Sequence, residues 1–350
     1  MKPVRVLIVD DSASMRALIR ATLSADRRVA VVGEAANPLE ARDAIKAINP
    51  DVMTLDVEMP HMNGIAFLEK VMRLRPLPVV MVSSLTDRGA AAAISAMEIG
   101  AVDCVSKPSP QIPNAFAHLA DKVTAAAGAK LGAWSPAPAR PELRAAAATH
   151  DKAVALPLSG RLVAIGASTG GVEALIAILS QFPRDCPPTM VVIHLPSPFT
   201  TSFAHRLDRI CAPRVHEATD GAPILPGNIY VAPGTHTHLE VSRAEHLRCV
   251  LREGDPIGGH RPSVDALFYS VSRQVGAKAV GVILTGMGAD GAQGLLAMRK
   301  AGAHTIGQNE ATCVVYGMPK VAYQIGAVEK QAPLPSIAAE VAALTARHRD

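Results

Sequence analysis

The chain has 350 residues, enough for two domains with their own cores, and a formal charge of +4 with no basic block, so nucleic acid is not an expected partner. No apolar run reaches the roughly 18 residues that a membrane-spanning helix needs. Lys2 and Arg5 lead straight into a short apolar run ending in two aspartates, which is no signal peptide, so membrane insertion is excluded and a cytoplasmic location expected.

Taken in chain order, residues 1–125 alternate short β-branched runs with longer amphipathic stretches. This is the pattern of a parallel sheet covered by helices on both faces. The runs Val4 to Val9, Val29 to Glu34, Val52 to Leu55, Val79 to Val82 and Asp103 to Ser106 predict five strands of a flavodoxin-like domain. Residues 126–158 are rich in alanine and proline, too poor in apolar surface to pack and too rich in proline for a continuous helix, and predict a linker. It holds the single tryptophan, Trp134, and a stretch at Glu142 to Ala148 that could be locally helical.

Alternation resumes in residues 159–350. Arg161 to Ile165, Thr189 to Ile193, Ile229 to Ala232 and Ala279 to Leu284 predict strands, and Val172 to Leu179, Val264 to Val275 and Gly291 to Ala301 predict helices. This is a second, doubly wound α/β domain. Thr235 to Leu251 has the pattern of a hairpin, which would make its sheet mixed. The five cysteines, Cys104, Cys186, Cys211, Cys249 and Cys313, have no close pairs, which argues against disulfides and zinc.

Ligands of an open parallel sheet sit beyond the carboxyl ends of its strands. In the first domain those ends carry Asp10, Asp11, Asp56, Ser83 and Lys107. Carboxylates converging there repel unless a cation neutralises them, and an all-oxygen set suits Mg2+. Asp56 then has the setting of a nucleophile toward a phosphoryl donor, with Lys107 neutralising charge and the Ser83 hydroxyl donating to a phosphoryl oxygen.

In the second domain a strand runs into Gly166-Ala-Ser168-Thr-Gly170-Gly171, a turn that exposes a serine at the start of a helix, whose N–H groups can hold an oxyanion. Glycine-flanked turns also serve packing or phosphate binding, so the serine needs a base and an orienting acid. His194 and Asp290 each follow an apolar strand and supply both. His260 and Asp265 compete as acid–base groups and suit helix capping and substrate contacts. His236 and His238 lack a third ligand for a metal.

Residues 1–120 resemble a response-regulator receiver domain, with Asp56 at the phospho-acceptor position, Asp10 and Asp11 at the metal-binding pair, Ser83 at the switch hydroxyl and Lys107 at the receiver lysine; Cys104 stands where many receivers carry an aromatic residue. Gly166-Ala-Ser-Thr-Gly-Gly171, His260-Arg-Pro-Ser-Val-Asp-Ala-Leu-Phe268, Ile283-Leu-Thr-Gly-Met-Gly-Ala-Asp-Gly-Ala-Gln-Gly-Leu295 and Asn309-Glu-Ala-Thr-Cys-Val-Val-Tyr-Gly-Met-Pro319 resemble the CheB family of chemotaxis protein-glutamate methylesterases. Ile193-His194-Leu195-Pro196 departs from that family's more usual Gln-His-Met-Pro. The resemblance implies Ser168 as nucleophile, His194 as general base and then acid, Asp290 as orienting carboxylate, and the backbone N–H groups of Met287 and Thr169 as oxyanion donors. It further implies methyl-accepting chemoreceptors as substrates, with glutamine deamidation as a second activity. A chemotaxis histidine kinase would be the phosphoryl donor, and no cofactor would serve the esterase. A non-catalytic signalling adaptor and a regulator with a DNA-binding output are the alternatives, the latter disfavoured by the lack of a basic recognition helix.

Overall fold

The computed structural model describes residues 2–59, 63–110, 112–131 and 161–346. The chain divides into two units, Met1–Ala137 and Pro138–Asp350. Trp134 and the stretch at 142–148 lie outside the described residues.

In the first unit strands and helices alternate as β1 (Val4–Val9), α1 (Ala13–Ser24), β2 (Val29–Ala35), α2 (Pro38–Ile48), β3 (Val52–Asp56), α3 (Gly64–Leu74), β4 (Val79–Ser83), α4 (Asp87–Ile99), β5 (Asp103–Ser106) and α5 (Leu119–Ala127). The strands form one parallel sheet in the order β2-β1-β3-β4-β5, the flavodoxin-like arrangement the sequence predicts. β3, β4 and β5 are buried along their whole length, which is why they read as continuous apolar runs rather than alternating ones. α1, α2, α3 and α4 start on local side-chain caps: Ser12, Asn37, Asn63 and Thr86 each accept a first-turn N–H. Left-handed Asn49 and Gly100 end α2 and α4. α5 extends to Ala127, past the predicted start of the linker, because Leu119, Val123 and Ala126 give it a buried stripe that the alanine-rich composition masks.

The second unit contains β6 (Leu162–Ala167), α6 (Gly171–Leu179), β7 (Thr189–Ile193), α7 (Phe199–Ile210), β8 (Arg214–Glu217), β9 (Asn228–Val231), β10 (Thr237–Arg243), β11 (Leu247–Glu253), α8 (Val264–Gln274), β12 (Ala279–Ile283), α9 (Ala292–Lys300), β13 (His304–Gln308), α10 (Met318–Gln324), β14 (Lys330–Ala332) and α11 (Leu334–Thr345). Seven strands form a wholly parallel sheet in the order β14-β13-β12-β6-β7-β9-β8. The predicted hairpin exists as β10 and β11, but it pairs with no strand of the large sheet, which is therefore not mixed. Leu239, Val241 and Cys249 turn its apolar face into the core around Leu267, Phe268 and Val271 of α8, and the Val241 N–H donates to Ser270 Oγ at 2.9 Å. α8 is thereby fixed between the hairpin, α9 and the sheet, which matters because its first turn meets the candidate site.

Candidate active site and phosphoryl-acceptor site

β12, β6 and β7 are adjacent at the centre of the large sheet, and their carboxyl ends carry Asp290, Ser168 and His194 respectively. Backbone bonds lace these ends together. The Leu284 N–H donates to Gly166 O at 2.9 Å, Ser168 N–H to Thr285 O at 3.0 Å, and His194 N–H to Ala167 O at 3.3 Å. Ser168 and His194 are thus set by a continuous parallel ladder, and Asp290 by the glycine turn that leaves it.

Ser168 stands in a tight turn closed by the Gly171 N–H donating to Ser168 O at 2.7 Å. Gly170 has φ +75°, and a methyl group there would fall 2.6 Å from Val314 Cβ, so both backbone conformation and space require glycine. Ser168 is partly exposed while Thr169 behind it is buried. Gly286 backs the serine: a methyl group at Gly286 would lie 2.8 Å from Ser168 Cβ. Met287 is the next residue along this glycine turn.

His194 Nε2 lies 2.8 Å from Asp290 Oδ2 in a nearly water-free setting, the two side chains being 8% and 2% exposed. Asp290 also accepts from Ser263 Oγ (2.8 Å), the Val264 N–H (2.7 Å) and the Asp265 N–H (3.0 Å). It therefore sits on the N-terminus of α8, where unpaired amides and the helix dipole favour an anion. Burial opposes its charge, but the His194 contact and the Asp265 and Val264 amides outweigh that and lower its pKa to about 2. With Nε2–H committed to a carboxylate, Nδ1 is the acceptor nitrogen; it is buried and engages no hydrogen bond.

Asp265 is not brought to His194. Its carboxylate accepts from the Gly294 N–H at 2.6 Å in the first turn of α9. The arrangement is reciprocal: an aspartate from the α9 loop sits on the start of α8, and one from α8 sits on the start of α9. Burial, with the charge of Asp290 adding to it, pushes Asp265 up to about 6. His238 is a buried strut whose Nδ1 accepts from the Ser263 N–H at 3.1 Å and whose Nε2 meets Asp255 O at 3.0 Å. His260 stacks on His194, with ring centroids 3.8 Å apart and planes at 4°.

Three functional neighbours escaped the sequence reading. Ser263 caps α8 and grips Asp290; an apolar helix starting directly after a serine is the cap pattern that could have flagged it. Buried Thr285 and Gln308 brace the serine turn, with Thr285 Oγ1 donating to Thr169 O at 3.0 Å and the Thr285 N–H donating to Gln308 Oε1 at 2.8 Å. A lone buried glutamine carries no sequence signal of its partner.

In the first unit Asp10, Asp56, Ser83 and Lys107 meet at the carboxyl ends of β1, β3, β4 and β5. Lys107 Nζ lies 3.0 Å from Asp10 Oδ2 and 2.9 Å from Asp56 Oδ2, and the Lys107 N–H donates to Ser83 O at 2.7 Å. Burial disfavours the charge on Lys107, yet the two aspartates outweigh it and raise its pKa. Burial pushes Asp56 up to about 6 against the pull of Lys107, with Asp10 adding to the rise. Asp10 Oδ2 and Asp56 Oδ2 are buried and within ion-pair distance of the ammonium, but neither receives a directional hydrogen bond. One oxygen from each of Asp10, Asp11 and Asp56 falls within a 4.8 Å span. Buried carboxylate oxygens with unused lone pairs, clustered beside an exposed Asp11, fit a hard divalent cation such as Mg2+.

Cys104 is buried in β5, with burial pushing its thiol up to about 12. None of the five cysteines forms a disulfide. No helix among the described residues is long and apolar enough to cross a membrane.

Residues 163–341 match the CheB methylesterase family model, and residues 6–115 match that of the response regulator receiver domain. Among curated proteins, a protein-glutamate methylesterase/protein-glutamine glutaminase of Agrobacterium fabrum is 59% identical over 99% of this chain and 98% of its own. Another so named, from Caulobacter vibrioides, is 58% identical over the whole of both chains. The crystal structure of the Thermotoga maritima CheB methylesterase catalytic domain superposes with a TM-score of 0.52 at 36% identity, covering 53% of this chain and 98% of that one. Two domain matches that together reach from residue 6 to residue 341, and full-length relatives of the same two-part design, agree: the chain belongs to the CheB methylesterase family and carries a receiver domain at its N-terminal end.

Proposed function

We propose that the chain hydrolyses glutamate γ-methyl esters on methyl-accepting chemoreceptors, and deamidates glutamines there, by a Ser168–His194–Asp290 triad. The observation that carries this reading is the His194 imidazole: Nε2 is held by a deeply buried, ionised Asp290, while Nδ1 is left as a buried acceptor without a partner. In the proposed sequence Nδ1 takes the Ser168 proton as Oγ attacks the ester carbonyl. The N–H groups of Met287 and Thr169 receive the developing oxyanion, and the imidazolium, balanced by Asp290, protonates the departing methoxide oxygen so that it leaves as methanol. Water then attacks the acyl-serine with His194 again as base, restoring Ser168 and releasing a glutamate carboxylate. For a glutamine the departing group is ammonia and the steps are otherwise the same. The names of the relatives support the ester and amide specificity.

The receiver is proposed to regulate this activity. Asp56 attacks the phosphorus of a phosphohistidine on a chemotaxis histidine kinase, and the imidazole leaves. Asp10, Asp11 and Asp56 would hold Mg2+, which when bound supplies positive charge to the transferring phosphoryl group. Lys107 pairs with a phosphoryl oxygen and Ser83 donates a hydrogen bond to one. Partners of this kind would have the reaction take place in the cytoplasm. The test is mass spectrometry of methylated receptor peptides incubated with the protein, with and without acetyl phosphate and Mg2+. Loss of 14 mass units per ester, about as expected for a methylene, absent with Ser168→Ala, is the expected result; turnover retained by Ser168→Ala sinks the triad.

A further inference from the structure

His194 is held in its ring plane through Nε2, but a single in-plane bond does not fix how the ring tilts about that bond. The tilt decides where Nδ1 points. Control of it must come from whatever lies against the ring's faces, and one face is covered by the imidazole of His260 at 3.8 Å and 4°.

The chain delivers His260 by a small closed turn. The Ile257 N–H donates to His260 O and the His260 N–H donates to Ile257 O, both at 3.0 Å. Gly258 and Gly259 between them have φ of +58° and +86°, the double left-handed pattern of a type I′ turn. Arg261 Nη1 donates to Gly254 O at 2.8 Å and closes the base of this loop. Three residues after His260, Ser263 donates to Asp290 Oδ1. A single stretch from 257 to 263 therefore covers the face of His194 and grips the carboxylate at its edge.

Parallel stacking also restricts what His260 can do. The ring N–H groups lie in the ring plane, so with planes at 4° neither nitrogen of His260 aims at a nitrogen of His194. Direct proton relay between the two rings is excluded by this geometry. What remains is contact across the faces, which both orients the ring and shields it from water.

We infer that His260 is a positioning residue for ester hydrolysis: stacked on His194, it sets the ring tilt on which the approach of Nδ1 to Ser168 during reaction depends, while Nε2 stays on Asp290. This rests on the reading that Ser168 and His194 carry the reaction. A displacement of about an ångström at a reacting group is worth roughly a hundredfold in rate, so a ring free to tilt costs turnover rather than binding.

The experiment uses the full-length chain and a peptide carrying a glutamate γ-methyl ester, comparing His260→Ala, His260→Phe and Ser168→Ala. His260→Ala is expected to lower kcat by roughly ten- to a hundredfold with KM within about twofold. The downfield proton resonance of the His194 Nε2–H should broaden with it. His260→Phe keeps a flat ring without ring nitrogens and should recover most of both signals. Unchanged kcat in His260→Ala, with Ser168→Ala inactive, overturns the inference. So does a loss confined to KM, which would make His260 a substrate contact, or an equal loss in the Phe variant with the resonance intact, which would give the ring nitrogens a chemical role. Should His260→Ala fail to fold, the Phe variant decides alone: near-full kcat with the resonance retained supports the inference, and a large loss overturns it. Turnover by Ser168→Ala overturns the underlying triad instead, and that outcome is distinguishable from all the others.

Discussion

Asp56 and Asp290 are both buried on the carboxyl-end side of a parallel sheet, Asp56 as the last residue of β3 and Asp290 in the turn that follows β12, yet their pKa values are shifted in opposite directions. Asp290 receives four directed contacts from His194, Ser263 and the amides of Val264 and Asp265, and is held near pKa 2. Asp56 accepts one backbone N–H, from Glu58 at 3.2 Å, has a buried oxygen without a hydrogen bond, and is pushed up to about 6. The difference teaches what separates the two proposed roles of a buried carboxylate on this side of a sheet. A carboxylate whose lone pairs are all occupied is a fixed counter-charge, whereas one with lone pairs to spare is available to a metal and a phosphoryl group.

The sharpest way to break the comparison is at the triad. Ser168→Ala and His194→Ala are each expected to lower ester hydrolysis by about four orders of magnitude or more, and the double variant should be little worse than either, because the groups act as a unit. Steady-state kinetics on a receptor peptide check this; additive losses would separate the two residues.

The carboxylates come next. Asp56→Asn should abolish stimulation by acetyl phosphate and Mg2+ and any acid-labile, base-labile phosphoryl label. Asp290→Asn should lower kcat by about a thousandfold, since the amide can neither balance the imidazolium nor hold its tautomer, and should leave labelling of Asp56 intact. A larger loss in a folded Asp265→Asn than in Asp290→Asn would transfer the orienting role to Asp265.

A smaller effect separates the two reciprocal aspartates by pH. Asp290, depressed to about 2, contributes stability that is present above its unfolded value near 4 and lost as pH falls through 2. Asp265, raised to about 6, contributes stability that is present below about 4 and lost as pH rises through 6. Denaturant melts should show Asp265→Asn flattening the difference between pH 4 and 7, by on the order of 1 kcal/mol after discounting for its partial exposure. Asp290→Asn should instead flatten the decline below pH 4, and an upper-window effect from it would reverse the assignment.

The strand ends and their polar residues were legible because parallel strands buried on both faces leave long apolar runs that stop at the site. β8 was not, since Arg214 to Glu217 alternates charged residues with one buried valine. β13 contains His304 and Gly307, and β14 is only three residues long, so neither forms a recognisable run. At the site, Ser168, His194 and Asp290 could be nominated individually and helix capping foreseen for Asp265, but neither the helix that Asp265 caps nor the ring that His260 covers could be read. Their partners lie in other loops, Gly294 for one and His194 for the other, and no local period reports a contact made through tertiary packing. The double glycine before His260 does announce a turn; what that turn covers is written only in space.

Val264 begins α8 between two glycines that the fold needs small. A methyl group at Gly166 would fall 2.2 Å from Val264 Cγ1, and one at Gly291 would fall 2.4 Å from the same atom, while the Val264 N–H holds Asp290. Strand, helix and acid loop therefore share one allotment of volume. Positions 166, 264 and 291 cannot drift independently: a larger residue at 166 demands a smaller one at 264. A designer or a lineage altering this site must move along such paired substitutions, since single steps displace the amide that steadies the acid.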